Sequence, residues 1–175
     1  MIENGIANLI IGNTLAFVAS VLMVVVGIIK DKKKIIFWQT IEIIFAGVSY
    51  IVLGSYTAAI NMGISSARNI LYYKEKLSTS AKIVLAILYT VLSLVFNNVG
   101  LIGIVLLGGS IASLFIVEIK NVIIFKLFAM LGMFVWAVHD ISVQSYVAFI
   151  FDIGTIIALF ISMFQIRKEK RIMSN

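Results

Sequence analysis

The sequence contains no cysteine and no proline, and it has a single histidine. Without cysteine there is no disulfide framework, no thiolate metal site and no cysteine nucleophile. One histidine excludes zinc catalysis of the HExxH kind. Without proline, any hinge has to be a glycine or a loop. Charge is also scarce: 13% of the 175 residues are Asp, Glu, Lys or Arg, about half the usual share in soluble domains.

What is abundant is apolar. Hydrophobic residues make up 62% of the chain, and the mean hydropathy is +1.13. A soluble fold of this size has no interior large enough for that much apolar surface, so a lipid bilayer is the natural solvent. The net charge of +6 is no nucleic-acid signal, because the basic residues fall in short runs between apolar stretches. Such runs report membrane topology. No nucleic-acid partner and no cofactor or metal is expected.

A membrane-crossing helix needs about 20 apolar residues at 1.5 Å each. The hydropathy pattern yields seven: 6–29, 35–53, 56–73, 81–96, 99–117, 122–139 and 146–166. The opening Met1-Ile2-Glu3-Asn4-Gly5 has no basic region, and the apolar stretch after it exceeds a signal-peptide core, so it reads as a retained first span. The expected fold is an all-α membrane protein, with residues 1–175 as one membrane domain and a basic cytoplasmic tail over 167–175.

The charges set the orientation. With the first loop inside, Lys30, Lys32, Lys33, Lys34, Lys74, Lys76, Lys82, Lys120 and the tail residues Arg167, Lys168, Lys170 and Arg171 all fall on the cytoplasmic side. Arg68 and Lys126 lie within spans near that side and can snorkel to it. No basic residue remains for the outside. The N-terminus is therefore expected outside and the C-terminus in the cytoplasm. Trp38, Tyr72 and Tyr73 read as inner interfacial anchors, and Tyr50, Tyr56, Trp136 and Tyr146 as outer ones.

Seven spans divide as three, one and three, the arithmetic of a parallel repeat. The units are 6–73 and 99–166, joined by a linking helix at 81–96. Asn61-Met62-Gly63 parallels Asp152-Ile153-Gly154, and Gly12 parallels Gly103, both 91 positions apart. Ala19-Ser20 recurs as Ala112-Ser113, two positions out of that register. Gly12, Ala16 and Ser20 share one face of the first span, and Gly109 and Ser113 one face of the fifth. Ordinary close helix packing is the favoured reading of both faces.

Ionisable groups inside a bilayer are costly and usually face the bundle interior. Glu42 and Arg68 each lie 13 positions from Ser55, at one depth, and are expected to form an ion pair across the hairpin. The other readings are an inner gate or anion contact, or a snorkelling Arg68. Asp152, Asn61 and Asn13 fall at similar depths in the outer third, as a polar belt. Two roles stay open for the belt, holding a polar ligand or bonding helix to helix. A protonatable Asp152 would also permit proton coupling. His139 and Asp140 end the sixth span near the outer surface, as solvated or capping groups or as contacts at an outer mouth. No nucleophile–base–orienter set is visible, and Gly108-Gly109 lies inside a span, so an enzyme is not expected.

Several of these residues carry a family resemblance. Leu53-Gly54-Ser55-Tyr56 with Ala58 and Arg68-Asn69, then Trp136-Ala137-Val138-His139, Asp152 and the basic tail resemble the YgjV-type bacterial inner membrane proteins over roughly 35–170. That family is distantly similar to the SWEET, SemiSWEET and PnuC carriers, built of three-helix units with a linking helix. The resemblance implies a multi-pass protein of the bacterial inner membrane that transports or facilitates a small polar solute, vitamin-, nucleoside- or sugar-like. The pattern often has Asn where this chain has Ser65, and the proline hinges of the sugar carriers are absent. The expected site lies between the two units, lined by Asn13, Asn61, Asp152, Trp136 and His139, with Glu42 and Arg68 nearer an inner gate. The alternative is a non-transporting accessory or sensor protein. Lipid and the solute are the expected partners, and a homo-oligomer is compatible with the sequence.

Overall fold

The structure, a computed structural model, describes the backbone of residues 2–173 and the side chains of residues 5–169. Among the described residues there are seven α-helices: α1 (Ile2–Ile28), α2 (Lys32–Val52), α3 (Tyr56–Tyr73), α4 (Thr79–Val95), α5 (Leu101–Ile116), α6 (Val122–Ser142) and α7 (Tyr146–Met173). Four of them, α1, α2, α6 and α7, are long and apolar enough to cross a bilayer, and α4 and α5 are shorter apolar helices. α3 is the polar member, because Asn61, Ser65, Ser66, Arg68 and Asn69 interrupt its apolar residues.

Helix starts follow from local capping chemistry, in which a short polar side chain accepts a free N–H of the first turn. The Asp31 carboxylate accepts from the Lys34 N–H at 2.8 Å, and Ser78 Oγ accepts from the Ala81 N–H at 3.2 Å. Asn121 Oδ1 accepts from the N–H groups of Ile123 and Ile124 at 3.0 and 3.4 Å.

Helix ends differ from the hydropathy boundaries in one respect. Residues 167–173, most of the expected basic tail, continue α7 as helix. Hydropathy marks only the part of a helix that lies in lipid, while backbone hydrogen bonding carries it on into water. Residues 174–175 of the expected tail lie outside the described residues.

Two turns share one geometry. Between α2 and α3 the Ser55 N–H reaches the Tyr50 carbonyl at 2.8 Å, with Gly54 at φ +76°. Between α6 and α7 the Ser145 N–H reaches the Asp140 carbonyl at 2.8 Å, with Gln144 at φ +60°. Each is a helix C-terminus closed by a residue in the left-handed region. The two turns lie 90 positions apart, and each leads into a tyrosine, Tyr56 or Tyr146.

The helices pack as a closed ring in the order α1, α2, α3, α5, α6, α7 and back to α1, with α4 outside the ring on α3 and α5. Ile64, Leu85, Tyr89, Leu107 and Leu114 form the core that holds α4 in place. Close approach of α1 to the α2–α3 turn needs a glycine. A Cβ on Gly12 would lie 2.6 Å from the Leu53 side chain, and Ser49 Oγ donates to the Gly12 carbonyl at 2.7 Å. Ala16 and Ser20 are buried on the same face of α1.

Burial is inverted relative to a soluble protein. Large apolar side chains such as Ile10, Val95 and Leu101 face outward, while Ser49, Thr57, Asn61, Asn69, Lys126 and His139 are buried. That is the pattern expected when lipid surrounds the molecule.

The basic loops meet at one end of the ring. Lys30 pairs with Glu169, Lys33 with Glu75 at 3.1 Å, and Lys82 with Glu118 at 2.5 Å. Lys32 Nζ donates to the Ile119 carbonyl at 2.6 Å. The other three turns meet at the opposite end, where Asn98 Nδ2 donates to the Gly54 carbonyl at 2.6 Å.

Candidate functional site

Inside the ring lies a cavity of about 360 Å³, lined by residues from all six ring helices and by none from α4. The size falls in the lower part of the range of small-molecule sites, roughly 300–1,000 Å³. Its walls are mostly apolar, with Glu42, Arg68, Lys126, Asp140 and Asp152 among them.

The lining positions repeat. Ala16, Ala19, Ser20, Met23, Val26 and Gly27 of α1 line the cavity, and so do the residues 90 positions further on in α5 and at its C-cap: Leu106, Gly109, Ser110, Ser113, Ile116 and Val117. In α2 and α6 the same shift relates Ile35 to Phe125, Glu42 to Gly132, Ala46 to Trp136 and Tyr50 to Asp140. In α3 and α7 it relates Met62 to Asp152 and Ser65 to Thr155.

At the end away from the basic loops the cavity is lined by a polar and aromatic cluster. Tyr50 Oη donates to Asp140 Oδ1 at 2.6 Å. Trp136 stacks on Tyr50, with ring centres 5.7 Å apart and planes 20° from parallel. His139, fully buried behind them, places Nδ1 2.9 Å from Asp140 Oδ1 and Nε2 2.9 Å from Ser55 Oγ. The imidazole thus bridges Asp140 of its own helix and Ser55 of the α2–α3 turn. Tyr50, expected as an interfacial anchor, is therefore buried, and its hydroxyl finds Asp140 instead of the headgroup layer. Trp136 likewise faces the cavity.

The other end is apolar. Val26, Ile35, Ile36, Val117 and Phe125 line it and pack into one buried cluster.

The sequence-derived candidates divide. Trp136, Asp152, Glu42 and Arg68 line the cavity, while Asn13, Asn61 and His139 do not. Asn13 donates to the Gln144 carbonyl and accepts from the Val147 N–H, both at 3.2 Å, and so caps α7. Asn61 faces away, donating to the Thr57 carbonyl at 3.0 Å and accepting from Ser93 of α4 at 3.4 Å. The expected belt of Asn13, Asn61 and Asp152 is thus not one feature. Depth alone grouped the three and leaves the direction around each helix open, and the turns set a repeat of 90 positions, not 91, so the counterpart of Asp152 is Met62. One residue on a helix is about 100° of rotation, enough to turn Asn61 from the cavity to α4.

The expected Glu42–Arg68 ion pair is not formed. Arg68 Nε and one terminal nitrogen donate to Asn69 Oδ1 at 3.0 and 2.7 Å, and the other terminal nitrogen donates to Ser113 Oγ. Equal counts from a turn fix depth but not direction around the helix. Arg68 turns toward α5 and Glu42 into the cavity. Lys126 does not snorkel either. It is fully buried and donates to the Gly27 carbonyl at 2.7 Å and to Ser162 Oγ at 2.8 Å. Gly27 lies in the last turn of α1, whose carbonyls have no partner within the helix, and the ammonium group supplies one.

Gly109 and Ser113, read from the sequence as a packing face, line the cavity. A Cβ added to Gly109 or Gly132 meets nothing within 4 Å. Among the described residues, no group of three His, Asp or Glu side chains is placed to hold a metal ion.

Apolar helices around a partly charged interior cavity define a multi-pass membrane protein. The profile of the bacterial inner membrane protein family Imp-YgjV matches residues 10–170. The chain belongs to that family, and its place is the bacterial inner membrane. No curated protein and no solved structure matches it.

Proposed function

We propose that the protein is a carrier or facilitator that moves a small polar solute across the inner membrane through the central cavity. All seven helices cross in this reading, with the N-terminus outside and the C-terminus in the cytoplasm. α1–α3 and α5–α7 are two parallel three-helix units, and α4 is the link that lets the second unit repeat the orientation of the first.

The observation that carries the reading is the 90-position correspondence of the cavity lining. A site between two like units is where alternating access needs it, because rocking one unit on the other exposes the site to either side in turn. The exchange α1 for α5, α2 for α6 and α3 for α7 maps the ring order onto itself. Gathering of the basic loops at one end supports that end as cytoplasmic. An accessory or sensor protein would need no such cavity.

The test is counterflow in proteoliposomes loaded with a vitamin, a nucleoside, a sugar or an amine. At least one solute class is expected to exchange above the rate of empty vesicles. Gly132→Phe, which fills open space, is expected to abolish exchange while the protein stays folded. Exchange unchanged by Gly132→Phe would overturn the cavity as the path, and no exchange of any class would overturn the carrier reading.

A further inference from the structure

The fully buried, unpartnered polar atoms of the cavity belong to one wall. Asp152 is 9% exposed and Thr155 1%, and both line the cavity. Asp152 Oδ2 and Thr155 Oγ1 are buried atoms without a hydrogen-bond partner. They sit three residues apart on α7, hence on one face of it. A buried polar atom left unpaired is costly, so each is a position that a ligand can satisfy.

Carboxyl groups surround that position. Glu42 of α2, Asp140 of α6 and Asp152 of α7 all line the cavity. Neither Glu42 nor Asp152 has a basic partner within ion-pair distance, and Asp140 has only His139. The two cations of the cavity are engaged elsewhere, Arg68 with Asn69 and Ser113, Lys126 with Gly27 and Ser162. Both also lie toward the basic end. Arg68 is five residues from the Tyr73 end of α3 and Lys126 four from the Val122 start of α6, while Asp140 and Asp152 lie toward the opposite end.

Room exists in front of these groups. Gly132 is the counterpart of Glu42 on α6, and a Cβ there would touch nothing. The remaining walls are mostly apolar, including Ala46, Met62, Met133 and Trp136, with Gln39 and several serines among them. Aromatic faces also attract cations.

Resting on the carrier reading above, we infer that the solute is an organic cation, a compact protonated amine on an apolar body. Its ammonium group sits among Asp152, Glu42 and Thr155, and its apolar part lies against Trp136 and the methionines. The ammonium donates to the unpartnered Asp152 oxygen and offsets the desolvation of the carboxylates. An anion would have to displace the bonds already made by Arg68 or Lys126, and would face three carboxyl groups.

Three ligands of one shape test this: benzylammonium, benzyl alcohol and benzoate, titrated into the purified full chain in detergent by calorimetry. Benzylammonium is expected to bind at least about tenfold more tightly than either of the others. Asp152→Asn and, separately, Glu42→Gln are each expected to weaken it about tenfold or more, with benzyl alcohol little changed as the control for folding. Equal or tighter binding of benzoate, no binding of benzylammonium, or benzylammonium binding unchanged in both variants would overturn the inference. Amine binding without counterflow would refute carriage and leave the cation site standing. Counterflow of a neutral or anionic solute alone would refute the cation site and leave carriage standing.

Discussion

Tyr50 and Asp140 are counterparts in the 90-position repeat, and they are hydrogen-bonded to each other at 2.6 Å. Residues that contact their own equivalents lie beside a twofold axis. The pair therefore marks where the axis of the two proposed units passes the end of the cavity away from the basic loops, with Trp136 stacked against it.

Tyr50→Phe removes the donor and leaves Asp140 with His139 alone. Interhelical hydrogen bonds in membrane proteins are worth about 0.6 kcal/mol on average and up to about 1.7. A loss of about 1–2 kcal/mol is expected here, because the partner is a buried carboxyl group. A double-mutant cycle of Tyr50→Phe with Asp140→Asn, read by unfolding in mixed detergent, is expected to give a coupling of about 1 kcal/mol. Strict additivity would show that the contact contributes nothing.

Lys126 supplies a second test. If it snorkelled, Lys126→Met would be nearly silent. Buried as it is against the Gly27 carbonyl and Ser162, its replacement leaves two acceptors short of a donor. The expected cost is about 1–3 kcal/mol, read as a lower Tm of the purified protein. A Tm at or above that of the wild type would contradict the capping role.

The paired turns make opposite predictions for two substitutions. Gly54 stands at φ +76° with nothing near its missing Cβ, so Gly54→Ala meets only backbone strain, about 1 kcal/mol. Gln144 already bears that strain at φ +60°, and Gln144→Gly is expected to raise stability by up to about 1 kcal/mol. Tm shifts of opposite sign check the shared geometry, and equal signs would contradict it.

Much of the fold was legible because hydropathy and capping act locally. The α3 boundaries of 56–73 agree with the structure, and the others lie within about four residues except at the C-terminus, where α7 runs on through Arg167 and Lys168. The grouping of basic loops was legible too, since charge reports which ends share a compartment. Side-chain direction was not. Asp152 and Asn61 matched at an offset of 91 by composition, but the repeated turns set 90, and that single step moves Asn61 out of the site. A comparison of Tyr50-Ile51-Val52-Leu53-Gly54-Ser55-Tyr56 with Asp140-Ile141-Ser142-Val143-Gln144-Ser145-Tyr146 contains the right register, with isoleucine, serine and tyrosine in common. The Tyr50–Asp140 bond and the Lys126 cap depend on contacts between helices far apart in sequence, and no local pattern encodes them.

The natural absence of cysteine gives the most direct test of the cavity as a solute path. In inverted and right-side-out vesicles, Gly132→Cys is treated with a charged, membrane-impermeant thiol reagent, and solute counterflow is followed in the same preparation. The account predicts reaction from the aqueous phase, in both vesicle orientations, with loss of counterflow as modification proceeds. A thiol at position 132 that stays unreactive in both orientations, while one introduced by Lys76→Cys in the α3–α4 loop reacts, would contradict it.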